Sequence, residues 1–155
     1  MSVNDSPTTI GTFFLAVRTR LQSQVSVAEN RVFVVDKLTL IDPNVPNFQI
    51  QPVSMNIVAD ESGTNAFYLD FQVHAVTKTE YDYANKPTQK LVRATGAKGA
   101  FQYAADAASA LNKYEAAGAS NIVIMSIVNG GVDTATGLSH ATATFRTMLR
   151  VFADG

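Results

Sequence analysis

The sequence predicts an α+β fold: a mixed, mainly antiparallel sheet with two helices packed on one face, in the order α-β-β-β-α-β-β. Three observations carry that prediction. Residues 65–78 alternate, with Phe67, Leu69, Phe71, Val73 and Ala75 on one side and Tyr68, Asp70, Gln72 and His74 on the other. Side chains along a strand point alternately to opposite faces, so this is a half-buried strand. Two other stretches, 7–24 and 97–117, instead repeat apolar residues at helical spacing. Finally, the polar stretch Asp60-Glu61-Ser62-Gly63-Thr64 separates two strand-like runs, as in a β-hairpin.

A chain of 155 residues predicts one domain, 1–155. With 46% hydrophobic and 16% charged residues, a packed core is feasible. The net charge of -1 gives no global attraction to nucleic acid or to an anionic membrane. Cysteine is absent, which removes disulfides, thiolate metal sites and a cysteine nucleophile. No apolar run approaches the ~20 residues that span a bilayer. The start, Met-Ser-Val-Asn-Asp-Ser-Pro, lacks the basic residues of a signal peptide, and the expected place of folding is the cytoplasm.

Ser6-Pro7 offers a capping hydroxyl and a proline for a first helical position. Ile10, Phe13, Phe14, Val17 and Leu21 follow on one stripe, with Arg18, Arg20 and Gln22 off it, so an amphipathic helix is expected over 7–24. Residues 31–41 are β-branched and apolar and predict a strand. Pro43 and Pro46 then break regular structure. Val53, Met55 and Ile57 alternate with Ser54 and Asn56, which predicts a strand over about 49–59.

Residues 79–96 are read as a long exposed connection, either a solvated loop or an arm. Tyr81 and Tyr83 sit in an acidic patch, and Lys86, Lys90 and Arg93 follow around Pro87. Loops this long in compact domains are uncommon unless they are used for something. As an arm, the segment would present Tyr81, Tyr83 and Leu91 as anchors and Lys86, Lys90 and Arg93 as a charged rim. Alanine is the best helix former, and 97–117 is alanine-rich; Phe101, Ala104, Ala105, Ala108 and Leu111 trace one face and Gly118 supplies a stop. Residues 121–129 are apolar on both faces, as in a central strand, and a polar loop is expected from Gly130 to Leu138 or Ser139. The last strand, 140–152, places Ala141, Ala143, Phe145, Thr147, Leu149 and Val151 on one face and Thr142, Thr144, Arg146 and Arg150 on the other.

Candidate chemistry is sparse. His74 and His140 stand on different strands, and a metal centre needs three or four ligands within reach. Both read as ordinary strand histidines. Asp60 and Glu61 are adjacent carboxylates in a turn, where acids are common. Gly96-Ala97-Lys98-Gly99 lacks the spacing of a phosphate loop. Tyr81, Tyr83 and Phe101 beside the basic residues allow single-strand stacking in principle, but the charge density is low. No catalytic, cofactor-binding or metal-ligating residue is expected.

The order of elements resembles the tail-terminator and tail-completion proteins of tailed bacteriophages. The resemblance rests on the early helix from Ile10 to Leu21, the strand beginning Arg31-Val32-Phe33, the long alternating strand, and a last strand with Thr142, Thr144, Arg146 and Arg150 outward. It implies a ring-forming virion subunit, commonly a hexamer, at the head–tail junction. Its partners would be its own copies, the tail tube protein and the head connector or a neck protein. DNA would pass through the ring without specific recognition. A neck or adaptor protein of the same junction has the same appearance at this level. A small ligand- or nucleic-acid-binding module is the alternative from another class.

Overall fold

A computed structural model describes residues 8–25, 31–40, 45–57, 66–78, 99–116, 119–133 and 135–151. The elements are α1 (Ile10–Gln24), β1 (Val32–Val34), β2 (Asn47–Ile57), β3 (Ala66–Lys78), α2 (Ala100–Leu111), β4 (Val123–Asp133) and β5 (Leu138–Arg150). The five strands form one sheet in the order β1-β2-β3-β5-β4. β1 pairs parallel with β2, and the other three pairings are antiparallel. The predicted α+β architecture is the one observed.

α1 begins later than expected. Thr9 caps it in extended conformation, its hydroxyl accepting the Thr12 N–H at 3.1 Å. Thr8 is bridged to Val151, which holds the chain extended before the helix, and Ser6-Pro7 lie outside the described residues. Phe13, Phe14, Val17 and Leu21 are buried as the spacing predicts. The rings of Phe13 and Phe14 meet Phe71 edge to face, at 5.8 and 5.9 Å, which sets α1 on the sheet face of Phe71. The off-stripe arginines hold the helix in place. Arg18 Nε donates to the Val32 carbonyl at 2.8 Å, and Arg20 Nε to the Ala110 carbonyl at 3.0 Å.

β1 is only three residues long, against the eleven positions from 31 to 41 that the sequence suggested. β-branched composition favours a strand only where a partner supplies a ladder. After Val35 donates to the Ile50 carbonyl, the chain leaves the edge. Gln49 then takes over the backbone of Thr39, accepting its N–H and donating to its carbonyl, each at 2.8 Å. The side-chain amide substitutes for a strand neighbour there.

β2 and β3 pair antiparallel over almost their whole length, as the hairpin reading requires; the turn residues 60–64 lie outside the described residues. A bulge between Pro52 and Ser54 breaks the simple alternation expected for Val53, Met55 and Ile57.

α2 is shorter than the alanine content implies. Gly99 opens it, its N–H donating to Gln102 Oε1 at 2.8 Å. The helix stops at Leu111 and not at Gly118, because Lys113 adopts φ 66° and donates to the Ile122 carbonyl at 2.7 Å. Local turning toward Ile122 overrides helix propensity. Ala104, Ala107, Ala108 and Leu111 face the core, while Ala105 is exposed and does not belong to that face.

β4 departs most from expectation. It is an edge strand, not a central one, and it runs through Gly130-Gly131 to Asp133, leaving a four-residue connection before Leu138. A bulge between Asn129 and Gly131 absorbs the glycines, with Gly131 at φ 84°. Asp133 organises the turn: its side chain accepts from the Ala135 N–H and the Thr136 hydroxyl, each at 3.0 Å.

Candidate functional site: the open face of the sheet

Both helices lie on the face that carries Phe71, Val73, Ala143 and Phe145. The other face of β2, β3 and β5 carries polar side chains, and the strand register assembles them into rows. Ser54, Asp70, Arg146 and Val123 form one row, Gln51, Gln72, Thr144 and Ser126 the next, and Gln49, His74, Thr142 and Val128 a third. Cross-strand neighbours on one face are the unit of sheet interaction.

The first row is ionic. Arg146 grips Asp70 with two bonds, Nε to Oδ1 at 2.7 Å and the second nitrogen to Oδ2 at 3.0 Å. Such paired bonds fix geometry as well as charge. Tyr68 lies under the guanidinium, 5.8 Å from ring centre to charge. The hydrogen bond from Arg146 holds the Asp70 carboxyl below its usual range, against the opposing cost of burial. Arg146 is in turn held above its ordinary value by Asp70. In the second row the Gln72 amide donates to the Thr144 hydroxyl at 3.4 Å.

His74 is buried, at 5% exposure, and both ring nitrogens are bonded. Gln51 Oε1 faces Nε2 and the Thr142 hydroxyl faces Nδ1, each at 2.7 Å. A carbonyl oxygen only accepts, so Nε2 carries the proton and Thr142 donates to Nδ1. This is a neutral imidazole. Burial pushes it down to about 4, with the charge of His140 acting the same way. His140 is also lowered by burial, and Asp133 partly opposes the shift. His140 and His74 share this face, one register step apart, since His140 pairs with Val76. A Cβ at Gly130 would overlap the His140 ring, so glycine is what allows that ring its place against the bulge.

The Asp70–Arg146, Gln72–Thr144 and Gln51–His74–Thr142 groups form a hydrogen-bonded surface. Among the described residues no cluster of three or more His, Cys, Asp or Glu could hold a metal. No helix among the described residues is long and apolar enough to cross a membrane. The residues expected to form an interface, Tyr81, Tyr83, Lys86, Lys90, Leu91 and Arg93, lie outside the described residues, as do Asp60, Glu61, Gly96 and Lys98.

The sequence reading missed two features. One is the pairing of Asp70 with Arg146 across β3 and β5; their outward positions were legible, their register was not. The other is the edge of β4, where Val123, Met125 and Val128 are 50%, 54% and 55% exposed. Apolar residues on both faces of a strand signalled burial, and the sheet order places them at the rim.

No protein-family model and no curated protein matches the chain. Among solved structures it is similar to a chain of the virion of a native gene transfer agent particle. The TM-score is 0.53 at 16% identity, covering 94% of this chain and 99% of the other. What the two chains share is the fold, from end to end.

Proposed function

We propose that this protein is a structural subunit of a phage-like virion and not an enzyme. The observation that supports this reading is the likeness to a virion chain over 94% of this chain and 99% of the other. Within such a particle, the order of elements favours a ring-forming subunit at the head–tail junction, one that ends the tail tube and docks the head connector. Its partners are further copies of itself, the tail tube protein and the connector or neck protein. DNA passes through the ring, and the protein resides in the virion after synthesis in the host cytoplasm.

Residues 79–96 are proposed as an arm that reaches a neighbouring subunit or the partner ring. Tyr81, Tyr83 and Leu91 are costly to leave in water, and Lys86, Lys90 and Arg93 are suited to meet acids across an interface. Changing Tyr83 and Leu91 to Ser together is expected to leave the melting curve unchanged and to abolish ring formation or the joining of heads to tails. Normal assembly of that double variant would reduce the segment to a solvated loop.

Electron micrographs of particles assembled without this protein test the role itself. Overlong tails support a terminator. Finished tails beside tailless heads support a neck position. Normally joined particles would overturn the proposal. Replacing His74 and His140 by Asn is expected to leave joining intact wherever the variant folds, since neither imidazole is given a chemical role.

A further inference from the structure

We infer that the sheet continues from one copy of this chain to the next, with the outer edge of β4 pairing antiparallel to the outer edge of β2 of a neighbouring copy. This deepens the ring reading and rests on it, because it names a second contact between neighbouring copies, beside the proposed arm.

The first ground is the character of the two edges. Natural sheets protect exposed edges with charges, above all lysine. β2 contains no charged residue, and β4 contains only Asp133, at its last position. Both edges instead expose apolar side chains: Val123, Met125 and Val128 on β4, and Val53 and Ile57 on β2, the last at 82%. β1 covers β2 only over Phe48–Ile50, so among the described residues the rest of β2 has no strand on that side. Pro52 lacks a donor and is followed by the bulge at Val53, which confines pairing on β2 to the four residues from Ser54 to Ile57. On β4 the window lies between its two bulges, over the four residues from Ser126 to Asn129, with Met125 in the first bulge at its end.

The second ground is strand direction. β3 opposes β2, β5 opposes β3, and β4 opposes β5, so β4 runs opposite to β2. Copies set side by side with their helices on the same side therefore bring β4 of one against β2 of the next in antiparallel sense. That is the commoner and slightly more stable pairing. The contact joins two different patches, and such a heterologous contact repeated around an axis closes a ring. A two-fold contact of β4 with β4 would leave the apolar edge of β2 in water.

The test uses the full chain and two edge variants. One carries Met125→Lys with Val128→Lys on β4, and the other Val53→Lys with Ile57→Lys on β2. All four positions are exposed by half or more, and unchanged melting curves verify folding. Native mass spectrometry over a concentration series is expected to show rings for the unaltered chain. Each variant alone is expected to need at least ~10-fold higher concentration to associate. Mixed together, the two variants retain one good β2 edge and one good β4 edge, so they are expected to form a dimer that cannot grow. As a second measurement, the chain lacks cysteine, so Met125→Cys and Ile57→Cys chains mixed under oxidation should give the mixed dimer.

Rings from either lysine variant, or an unaltered chain that stays monomeric, would overturn the inference. So would loss of association in the β4 variant alone, which is the two-fold outcome. Edge-paired rings whose removal leaves particle joining intact would sink the virion role and leave the interface standing. Rings without edge pairing, in particles that need the protein, would do the reverse.

Discussion

The two faces of the sheet are built from alternate residues of the same strands, yet they hold together by different physics. On the helix side Phe71 stacks on Phe145 with ring centres 5.2 Å apart, and Phe13 and Phe14 close over Phe71. On the other side the next residues along, Asp70, Gln72 and His74, reach across to Arg146, Thr144 and Thr142. Burial of apolar area is additive and non-directional, so the covered face loses stability in proportion to what is removed. Hydrogen bonds on the open face replace bonds to water, so each is worth little net. The exception is a polar group that burial commits to one ionisation state, as it does His74.

The largest expected effect lies on the covered face. Phe71→Ala should cost roughly 3–5 kcal/mol, a large part of a domain's stability. Gln72→Ala, one position along, should stay within about 1 kcal/mol. Thermal melting of the two variants measures both, and equal losses would mean that the faces do not differ as described.

The next effect belongs to His74 and sharpens the contrast within the open face. Its imidazole is neutral in the fold down to about 4, whereas in the unfolded chain it charges near 6.5. Between those values the unfolded state binds the extra proton, so stability falls as pH falls through that window. The loss from pH 7 to pH 4 is on the order of 3 kcal/mol from this group. His140, shifted the same way, adds to it. Urea unfolding at pH 7, 5.5 and 4 reads the slope, and His74→Gln is expected to flatten it. An unflattened slope would place the acid sensitivity elsewhere.

The smallest effect is the ion pair. Arg146 is 47% exposed, and surface pairs are screened by water and salt. Arg146→Ala should shift the melting temperature less than either change above, and less again in high salt. Its clearest mark is in acid. Asp70 is held low by Arg146, so its contribution is present above the ordinary carboxylate range and fades only as pH falls below it. In the Arg146 variant Asp70 loses that support, so this acid-dependent loss of stability should shrink or disappear.

Much of this was legible in residues 65–78. Strict alternation over that stretch names both faces of β3, and the α1 stripe from Phe13 to Leu21 names its partner. Those patterns are local: period 2 and period 3.6 reach the page whatever lies next in space. The limits of α2 and β1 were not legible, because a bond from Lys113 to Ile122 and one from Gln49 to Thr39 decide them across ten or so residues.

The sequence by itself determined the fold class, the helix stripe and which residues of β3 and β5 share a face, since each follows from backbone geometry and side-chain polarity along one segment. Only the tertiary structure decided that β4 is the rim of the sheet, that Asp70 meets Arg146, and that His74 is sealed between Gln51 and Thr142. Strand order and register are choices among chain segments far apart in sequence. An apolar run such as Val123 to Val128 reads the same whether its second neighbour is a strand of its own chain or of another.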